Sequence, residues 1–302
     1  MSATQIEIEG GATRIGLLIA KCLVDPEQGC LIGRNGTIEL QTLLYWINHA
    51  RPDKNSLPIL ERHAGVFPVT DSNAVLDWIQ EYFQANKDAD CMAVGWYPPL
   101  ESAERNLFSN WNPTVVSVRL RSLEPYYVAP QLRWTKLLAG QKVAVVSSFA
   151  ETMKKQLEHR EAIWGTNAES LLPSSTEFLF FKTGYAPSLA LGRAGWSPPC
   201  ASWSEAVSRL EQDVLASGAR IVLIGCGGLG LPLGRRLRAA GKIVIVLGGA
   251  IQVLFGMKGS RWKTHDVISK FWNPAWIYPS AEETPAGAFL IESSCYWSPV
   301  KN

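Results

Sequence analysis

The sequence predicts an α/β protein with a Rossmann-like, doubly wound and mostly parallel sheet. The run Ile221 to Ile224 is unbroken, apolar and β-branched, which is typical of a strand buried on both faces of a parallel sheet. Gly225, Gly227 and Gly230 follow with GxGxxG spacing and open a helix. In the C-terminal half, strand and helix patterns alternate repeatedly, which implies parallel strands joined by right-handed crossovers.

The N-terminal half alternates in the same way, though its patterns are weaker. Apolar residues at helical spacing predict helices over residues 12–24, 38–49, 71–84 and 100–108. Apolar runs predict strands over residues 30–33, 91–95 and 115–120. The segment 124–130, rich in proline and tyrosine, is the predicted linker between an N-terminal α/β part, residues 1–125, and a C-terminal Rossmann-like part, residues 126–302. We expect two halves that share a cleft, either as two Rossmann-like parts or as one continuous sheet.

The C-terminal half supplies the remaining elements. Strands are predicted over residues 142–147, 178–182, 221–224 and 243–247, with a final edge strand over 289–291. Helices are predicted over residues 152–164, 204–217, 231–240 and 267–272.

Composition excludes several classes of protein. A net charge of +2 and a pI near 8.2 are too mild to indicate nucleic-acid binding. The chain has no CxxC or HExxH motif, so we expect no zinc site, and its longest apolar run (residues 243–257) is interrupted too often to span a membrane. Six dispersed cysteines and the lack of a signal peptide predict reduced thiols and a cytoplasmic location. Several of the 12 tryptophans adjoin turns, where they either suit sugar rings or pack beneath loops.

Charge is distributed unevenly near the C-terminus. No carboxylate occurs between Asp213 and Asp266, whereas basic residues are frequent there: Arg220, Arg235, Arg236, Arg238, Lys242, Lys258, Arg261 and Lys263. This asymmetry predicts an anionic partner. We interpret the three arginines of the predicted helix as a solvated face, and we expect Lys258 and Arg261 to converge on the edge of the sheet.

Four turns follow predicted strands and define candidate sites. The glycines of residues 225–230 and the pair Gly248-Gly249 bring backbone N–H groups and helix N-termini to one edge, which favours a diphosphate. An enzyme of the NAD type would need an acidic residue after the second strand, where the sequence reads Val246-Leu247-Gly248-Gly249. The turn Gly33 to Thr37 is a further edge site, although Glu39 behind it also suits the helix dipole. Ser148, after another strand, either binds a phosphate or caps a helix.

Three segments resemble a family of bacterial and viral proteins related to the GT-D type glycosyltransferases. They are GRNGTIEL (33–40), RWTKLLAGQKVAVVSSFAETMKKQ (133–156) and GGAIQVLFGMKGSRW (248–262), and the resemblance extends over residues 33–297. It implies a Rossmann-like fold and the transfer of a sugar from a nucleotide-diphosphate donor. The family carries an R-x-G-D-G-E turn whose acids are associated with a divalent cation. Arg34, Gly36 and Glu39 match this turn, while Thr37 and Ile38 replace its Asp and second Gly.

On this basis we predict a glycosyltransferase that uses a nucleotide sugar and a glycan or other hydroxyl acceptor. Glu39 is the predicted catalytic residue, either as general base or as a residual ligand of Mn²⁺ or Mg²⁺. A single carboxylate is a poor ligand set for these ions, so cations are the alternative means of neutralising the diphosphate. The predicted donor site consists of Arg34, Gly36, Thr37, Ser148, Gly225, Gly227, Gly249, Gln252, Lys258, Arg261 and Trp262.

Two other interpretations stay open at this point. One is an NAD-type oxidoreductase or another nucleotide-dependent enzyme on the same fold. The other is a protein that binds a carbohydrate or a partner without catalysis, which the threonine at position 37 and the abundance of tryptophan favour. The sequence does not predict an oligomeric state.

Overall fold

A computed structural model of the chain describes residues 2–292 and 294–299 and contains one seven-stranded sheet. The strand order is β3-β2-β1-β7-β6-β4-β5, and every neighbouring pair is parallel. The strands are β1 (Cys30–Arg34), β2 (Cys91–Val94), β3 (Val116–Arg119), β4 (Lys142–Ser147), β5 (Glu177–Lys182), β6 (Ile221–Gly225) and β7 (Ile243–Val246). The predicted α/β, doubly wound fold is confirmed.

Helices cover both faces of the sheet. They are α1 (Ala3–Val24), α2 (Thr37–His49), α3 (Leu57–Ala64), α4 (Ser72–Asp88), α5 (Pro98–Trp111), α6 (Leu120–Leu123), α7 (Ala150–Leu157), α8 (Arg160–Trp164), α9 (Ala168–Leu171), α10 (Pro187–Ala190), α11 (Trp203–Ala216), α12 (Gly230–Ala239) and α13 (Ala250–Leu254). Residues of α2, α4, α11 and α12 form the core on one face, and residues of α1, α7 and α13 contribute to the core on the other. The described chain contains no helix that combines the length and the apolar character needed to cross a bilayer.

The two halves of the chain meet in the middle of the sheet. β1 pairs with β7 in parallel, with Cys30 opposite Ile243 and Ile32 opposite Ile245. Of the two arrangements expected, one continuous sheet is therefore the observed one. The helix after β1 packs on one face of the sheet and the helix after β7 packs on the other. The order in which strands are added to the sheet therefore reverses between these two parallel strands. Open α/β sheets bind ligands at the carboxyl edge of such a switch point.

Some predicted elements differ from the structure. The prediction of an edge strand over residues 289–291 is wrong, because Ala288–Leu290 form a 3₁₀ turn. The helix predicted over 267–272 is reduced to a 3₁₀ turn at Ile268–Phe271, and the one predicted over 152–164 is interrupted between α7 and α8. These segments lie near the C-terminus or in crossovers, where tertiary contacts decide the conformation more than local periodicity does.

Three of the tryptophans beside turns are buried in the core. Trp203, Trp276 and Trp297 are each no more than 2% exposed. The indole N–H of Trp203 donates to the carbonyl of Ala74 at 2.8 Å, which attaches the start of α11 to α4. These three residues thus pack beneath loops, while Trp96, Trp262 and Trp297 line a cavity.

Candidate functional site

A cavity of about 980 Å³ opens at the carboxyl edge of the sheet. Each strand contributes a lining residue at or directly after its carboxyl end: Arg34, Val94, Arg119, Ser148, Thr183, Gly225 and Val246. This volume lies at the upper end of the range for small-molecule sites and accommodates a ligand of nucleotide-sugar size. The cavity also covers the switch point between β1 and β7.

A buried polar network holds the turn between β1 and α2. Asn35 is fully buried, its amide donates to Glu104 at 3.0 Å, and its side-chain carbonyl accepts from the Tyr82 hydroxyl at 2.8 Å. The second carboxylate oxygen of Glu104 accepts from the N–H of Gly95 at 2.9 Å, and the indole of Trp96 donates to the carbonyl of Asn35 at 3.0 Å. The network fixes the backbone directly after Arg34 and the adjacent turn after β2. The side chain of Arg34 therefore projects into the cavity.

Arg34 is the central cation of the cavity. Its guanidinium lies 4.4 Å from the centre of the Trp96 ring, and its buried Nε has no hydrogen-bond partner in the described chain. Among residues 2–292 and 294–299, no carboxylate comes within ion-pairing distance of it. Stacking on an indole leaves the donor edges of a guanidinium available, so Arg34 is oriented to bind an anion.

Glu39 lines the same cavity but is engaged with its own helix. It is 8% exposed, and its carboxylate occupies the space that a Cβ on Gly36, the N-cap of α2, would fill. Burial raises the pKa of the Glu39 carboxyl, while its backbone N–H and the Arg34 guanidinium act in the opposite direction. The carboxylate therefore stabilises the N-terminus of α2, as the helix-dipole interpretation predicts.

The glycines after β6 serve packing within the protein. A Cβ on Gly227, whose φ is +60°, would lie 2.8 Å from the carbonyl oxygen of Ala64 in α3. A Cβ on Gly228 would lie 3.1 Å from the side chain of the same residue, and the indole N–H of Trp78 donates to the Gly228 carbonyl at 2.9 Å. Gly225 and Gly227 line the cavity, but α3 covers much of this turn.

The glycines after β7 make room for two side chains of the site. A Cβ on Gly248, at φ +59°, would lie 2.8 Å from Nη1 of Arg34, and a Cβ on Gly249 would lie 2.9 Å from the Tyr296 ring. The second glycine turn thus brings together a guanidinium from β1 and an aromatic ring from the C-terminal segment. The spacing of the glycines in the sequence predicts neither contact.

Arg261 brings a second guanidinium to the cavity. It lies 4.9 Å from the centre of the Tyr296 ring and 3.7 Å from the exposed Glu292 carboxylate. Gln252 is fully buried nearby: its amide donates to the carbonyls of Lys258 and Tyr296 at 2.8 and 2.7 Å, and its Oε1 has no partner in the described ranges. The side chains of Gln252 and Trp262 both line the cavity.

Lys258 is the one predicted donor-site residue that the structure places outside the cavity lining. Its ammonium lies 5.6 Å from the centre of the Trp272 ring, while its backbone N–H donates to the carbonyl of Ile277. The expected convergence of Lys258 and Arg261 is therefore wrong, because the chain turns between them. The other predicted residues, from Arg34 to Trp262, do line the cavity.

The other arginines of the acid-free stretch have structural partners. Arg235 pairs with Asp88 at 2.6 Å and Arg238 with Asp90 at 2.7 Å, so these arginines join α12 to the end of α4 and the start of β2. Arg220 donates to four backbone carbonyls of neighbouring loops. The expectation of a solvated helix face is therefore wrong. The arginines form ion pairs with carboxylates that lie elsewhere in the chain.

Other side chains of the cavity were missed by sequence reasoning. Arg62, Arg119 and Arg121 line it, and so does Glu124, which lies in the segment interpreted as a linker. No periodicity or motif marks these residues, which come from α3, from the end of β3, from α6 and from the position directly after α6. Ser148 lines the cavity, but the expectation that it caps α7 is wrong: the carboxylate of Glu283 accepts from the N–H groups of Glu151 and Thr152.

The residues present do not fit a resident divalent cation. Mg²⁺ and Mn²⁺ bind several oxygen ligands, commonly with more than one carboxylate. Across the described ranges, no three His, Cys, Asp or Glu side chains come together to hold an ion. The family's acidic position is Thr37 here, and the Glu39 carboxylate is engaged at the N-terminus of α2.

Comparison of the chain with known protein families, with curated proteins and with solved structures gives no match. The resemblance of residues 33–40, 133–156 and 248–262 to the GT-D type glycosyltransferases thus stays a prediction. The chemistry of the cavity is the basis for a functional conclusion.

Proposed function

We propose that this protein is a glycosyltransferase that moves a sugar from a nucleoside-diphosphate donor to a hydroxyl acceptor. The observation that carries the proposal is the Arg34 guanidinium, which stacks on Trp96 beside Gly248 at the switch point of a parallel sheet and has no ion-pair partner among the described residues. A guanidinium in that position matches the oxygens of a diphosphate, and the surrounding volume leaves room for a nucleoside and a sugar.

The charge of the leaving group is neutralised by arginine in this proposal. Arg34 and Arg261 bind the diphosphate, which reduces the negative charge that develops on its oxygen as the sugar departs. The backbone near Gly225 and Gly249 contacts the nucleoside side of the donor. Aromatic rings at Trp96, Trp262 and Tyr296 provide flat apolar walls that suit a base or a sugar ring.

An NAD-type oxidoreductase has less support. Such an enzyme needs a carboxylate for the ribose hydroxyls at the end of the second strand, and here that position is occupied by Leu247 and Gly248, with the Arg34 guanidinium adjacent. A protein that binds without catalysis would retain nucleotide sugars but never release a nucleoside diphosphate from them. The binding experiment below separates the NAD-type alternative, and the release of a nucleoside diphosphate, followed in the next subsection, separates the non-catalytic one.

Thermal shift and calorimetric titration with UDP, GDP, UDP-glucose, GDP-mannose, NAD⁺ and inorganic phosphate test the proposal, each with and without Mn²⁺. We expect at least one nucleoside diphosphate or its sugar to stabilise the wild-type protein. Arg34→Ala should weaken that ligand at least about 30-fold, because a charge-assisted hydrogen bond contributes about 2 kcal/mol. Arg105→Ala is the matched control, since Arg105 is exposed and paired with Glu101 away from the cavity. A response to NAD⁺ with none to any nucleoside diphosphate would refute the proposal.

A further inference from the structure

Three carboxylates line the cavity, those of Glu39, Glu124 and Glu292, and their surroundings differ. Glu292 lies 3.7 Å from the Arg261 guanidinium. Glu39 is attached to the N-terminus of its own helix, where its carboxylate is packed against Gly36. Glu124 belongs to no α-helix: it lies between α6 and the 3₁₀ turn Pro125–Tyr127, is half-buried and lines the cavity. Among the described residues, Glu124 is the cavity carboxylate that is neither packed against a helix end nor part of an ion pair.

The charged and titratable groups that face Glu124 are Arg34 from β1, Arg121 from α6, and Tyr126 and Tyr127 from the 3₁₀ turn. None of the ion pairs found in the described residues includes Glu124. Burial raises the pKa of its carboxyl to about 7, against the opposing effect of Arg34, Arg121 and the Tyr126 hydroxyl. A carboxyl with these properties exchanges a proton near neutral pH.

The cavity wall around Glu124 is aromatic and cationic. The Arg121 guanidinium lies 4.8 Å from the centre of the Tyr127 ring, and the Tyr127 hydroxyl is 3.4 Å from Nε2 of His265. Trp96 follows β2, and Arg121 and Tyr127 follow β3, whereas the glycine turns follow β6 and β7. Aromatic faces beside a carboxylate and a guanidinium suit a ring that carries hydroxyl groups.

We propose that the part of the cavity walled by Trp96, Arg121, Glu124 and Tyr127 is the acceptor subsite, that it binds a hydroxyl-bearing sugar ring, and that Glu124 accepts the proton of the attacking hydroxyl. The proposal rests on the glycosyltransferase function proposed above. The acceptor oxygen forms a bond to the anomeric carbon while the bond from that carbon to the diphosphate oxygen breaks. The electron pair leaves with the diphosphate beside Arg34 and Arg261, and the hydroxyl proton passes to the Glu124 carboxylate.

The test uses the full chain and the nucleotide sugar that gives the largest thermal shift, with water as the acceptor. Release of the nucleoside diphosphate is followed from pH 5 to 9 in wild type, Glu124→Gln, Glu39→Gln and Glu177→Gln. Glu177 is the control, because it is exposed at the amino end of β5, on the opposite edge of the sheet. Affinity for the free nucleoside diphosphate is measured for each protein by calorimetry.

We expect the wild-type rate to rise with pH through about 7 and then to level off, since the base must be deprotonated. Glu124→Gln should lower the plateau rate at least about 100-fold and remove the inflection, while nucleoside-diphosphate affinity stays within about twofold. Glu39→Gln should retain the inflection, and Glu177→Gln should match wild type. If Glu124→Gln fails to fold, the position of the inflection in the wild-type profile decides the question.

Two results from the variants would overturn this inference without affecting the proposed function. One is a wild-type rate in Glu124→Gln, and the other is loss of the inflection in Glu39→Gln but not in Glu124→Gln. A wild-type inflection absent from the region of pH 7 would have the same consequence. If the wild-type protein binds no nucleoside diphosphate at all, the proposed function fails as well, so the two failures are distinguishable.

Discussion

The turn between β1 and α2 and the turn between β6 and α12 both lead from a buried strand to a helix at one edge of the sheet, but they are held in opposite ways. The first is fixed by hydrogen bonds from Asn35 to Glu104 and Tyr82. The second is fixed by glycines that fit against α3. The first presents a charged side chain to the cavity, whereas the protein itself covers much of the second.

Glycine spacing alone therefore does not identify a ligand-binding turn. Gly227 and Gly228 are required because Ala64 lies against them, which is a packing requirement. The chemically active turn depends instead on Glu104, which is 69 residues from Asn35 in the chain. A partner so distant leaves no local pattern in the sequence.

The largest effect is expected at the polar network of the first turn. Glu104→Ala leaves the Asn35 amide and the Gly95 N–H buried without acceptors, at about 1–3 kcal/mol each. We expect the free energy of unfolding in urea to fall by about 3 kcal/mol. Glu101→Ala, which removes only an exposed ion pair, should change it by less than about 1 kcal/mol. A loss below about 1 kcal/mol in Glu104→Ala would mean that the network does not hold the turn.

An intermediate effect should separate the two glycine turns. Gly227 and Gly248 have φ values of +60° and +59°, and an added Cβ would meet its nearest atom at 2.8 Å in both. Alanine at either position should therefore cost about 1–3 kcal/mol of stability. Only Gly248→Ala should also weaken nucleoside-diphosphate binding, by roughly tenfold, because its Cβ displaces the Arg34 guanidinium; calorimetry measures this directly. Equal losses of affinity in both variants would contradict the difference we assign to the two turns.

The smallest effect concerns the two cations of the C-terminal motif. Arg261→Ala should weaken nucleoside-diphosphate binding by about fivefold, since a partly exposed guanidinium already shared with Glu292 contributes modestly. Lys258→Ala should leave the affinity within about twofold of wild type, because its ammonium lies over Trp272. A larger loss in Lys258→Ala than in Arg261→Ala, measured by titration at one salt concentration, would reverse their assignment.

Regular elements were predictable where burial imposes a period. Both faces of the sheet are covered, so its central strands are continuous apolar runs, and β7 is buried at every position from Ile243 to Val246. α3 was missed because it has only eight residues and carries a proline at its start. The edge strand assigned near Phe289 failed because an apolar triplet has no period of its own and no strand lies beside it in the described sheet.

The candidate site was predictable only in part. Arg34, Gly36 and Glu39 could be proposed because they follow a strand within one short turn, and all three line the cavity. Glu124 could not be proposed, because its segment resembles a linker and the arginines that face it, Arg34 and Arg121, come from β1 and α6. The distribution of charge along the sequence also led to a wrong prediction, that of a solvated helix face. The carboxylates that pair with Arg235 and Arg238 lie near the end of α4 and the start of β2, far from these arginines in the chain.

By itself, the sequence determined that strands and helices alternate and that glycine turns collect at one edge, because apolar period and backbone sterics act between near neighbours in the chain. Only the tertiary structure decided which turn exposes a charge, which arginines are consumed by ion pairs, and which carboxylates face the cavity. Those outcomes depend on Coulombic and hydrogen-bonding partners that folding brings together from distant segments, and distance along the chain carries no information about them.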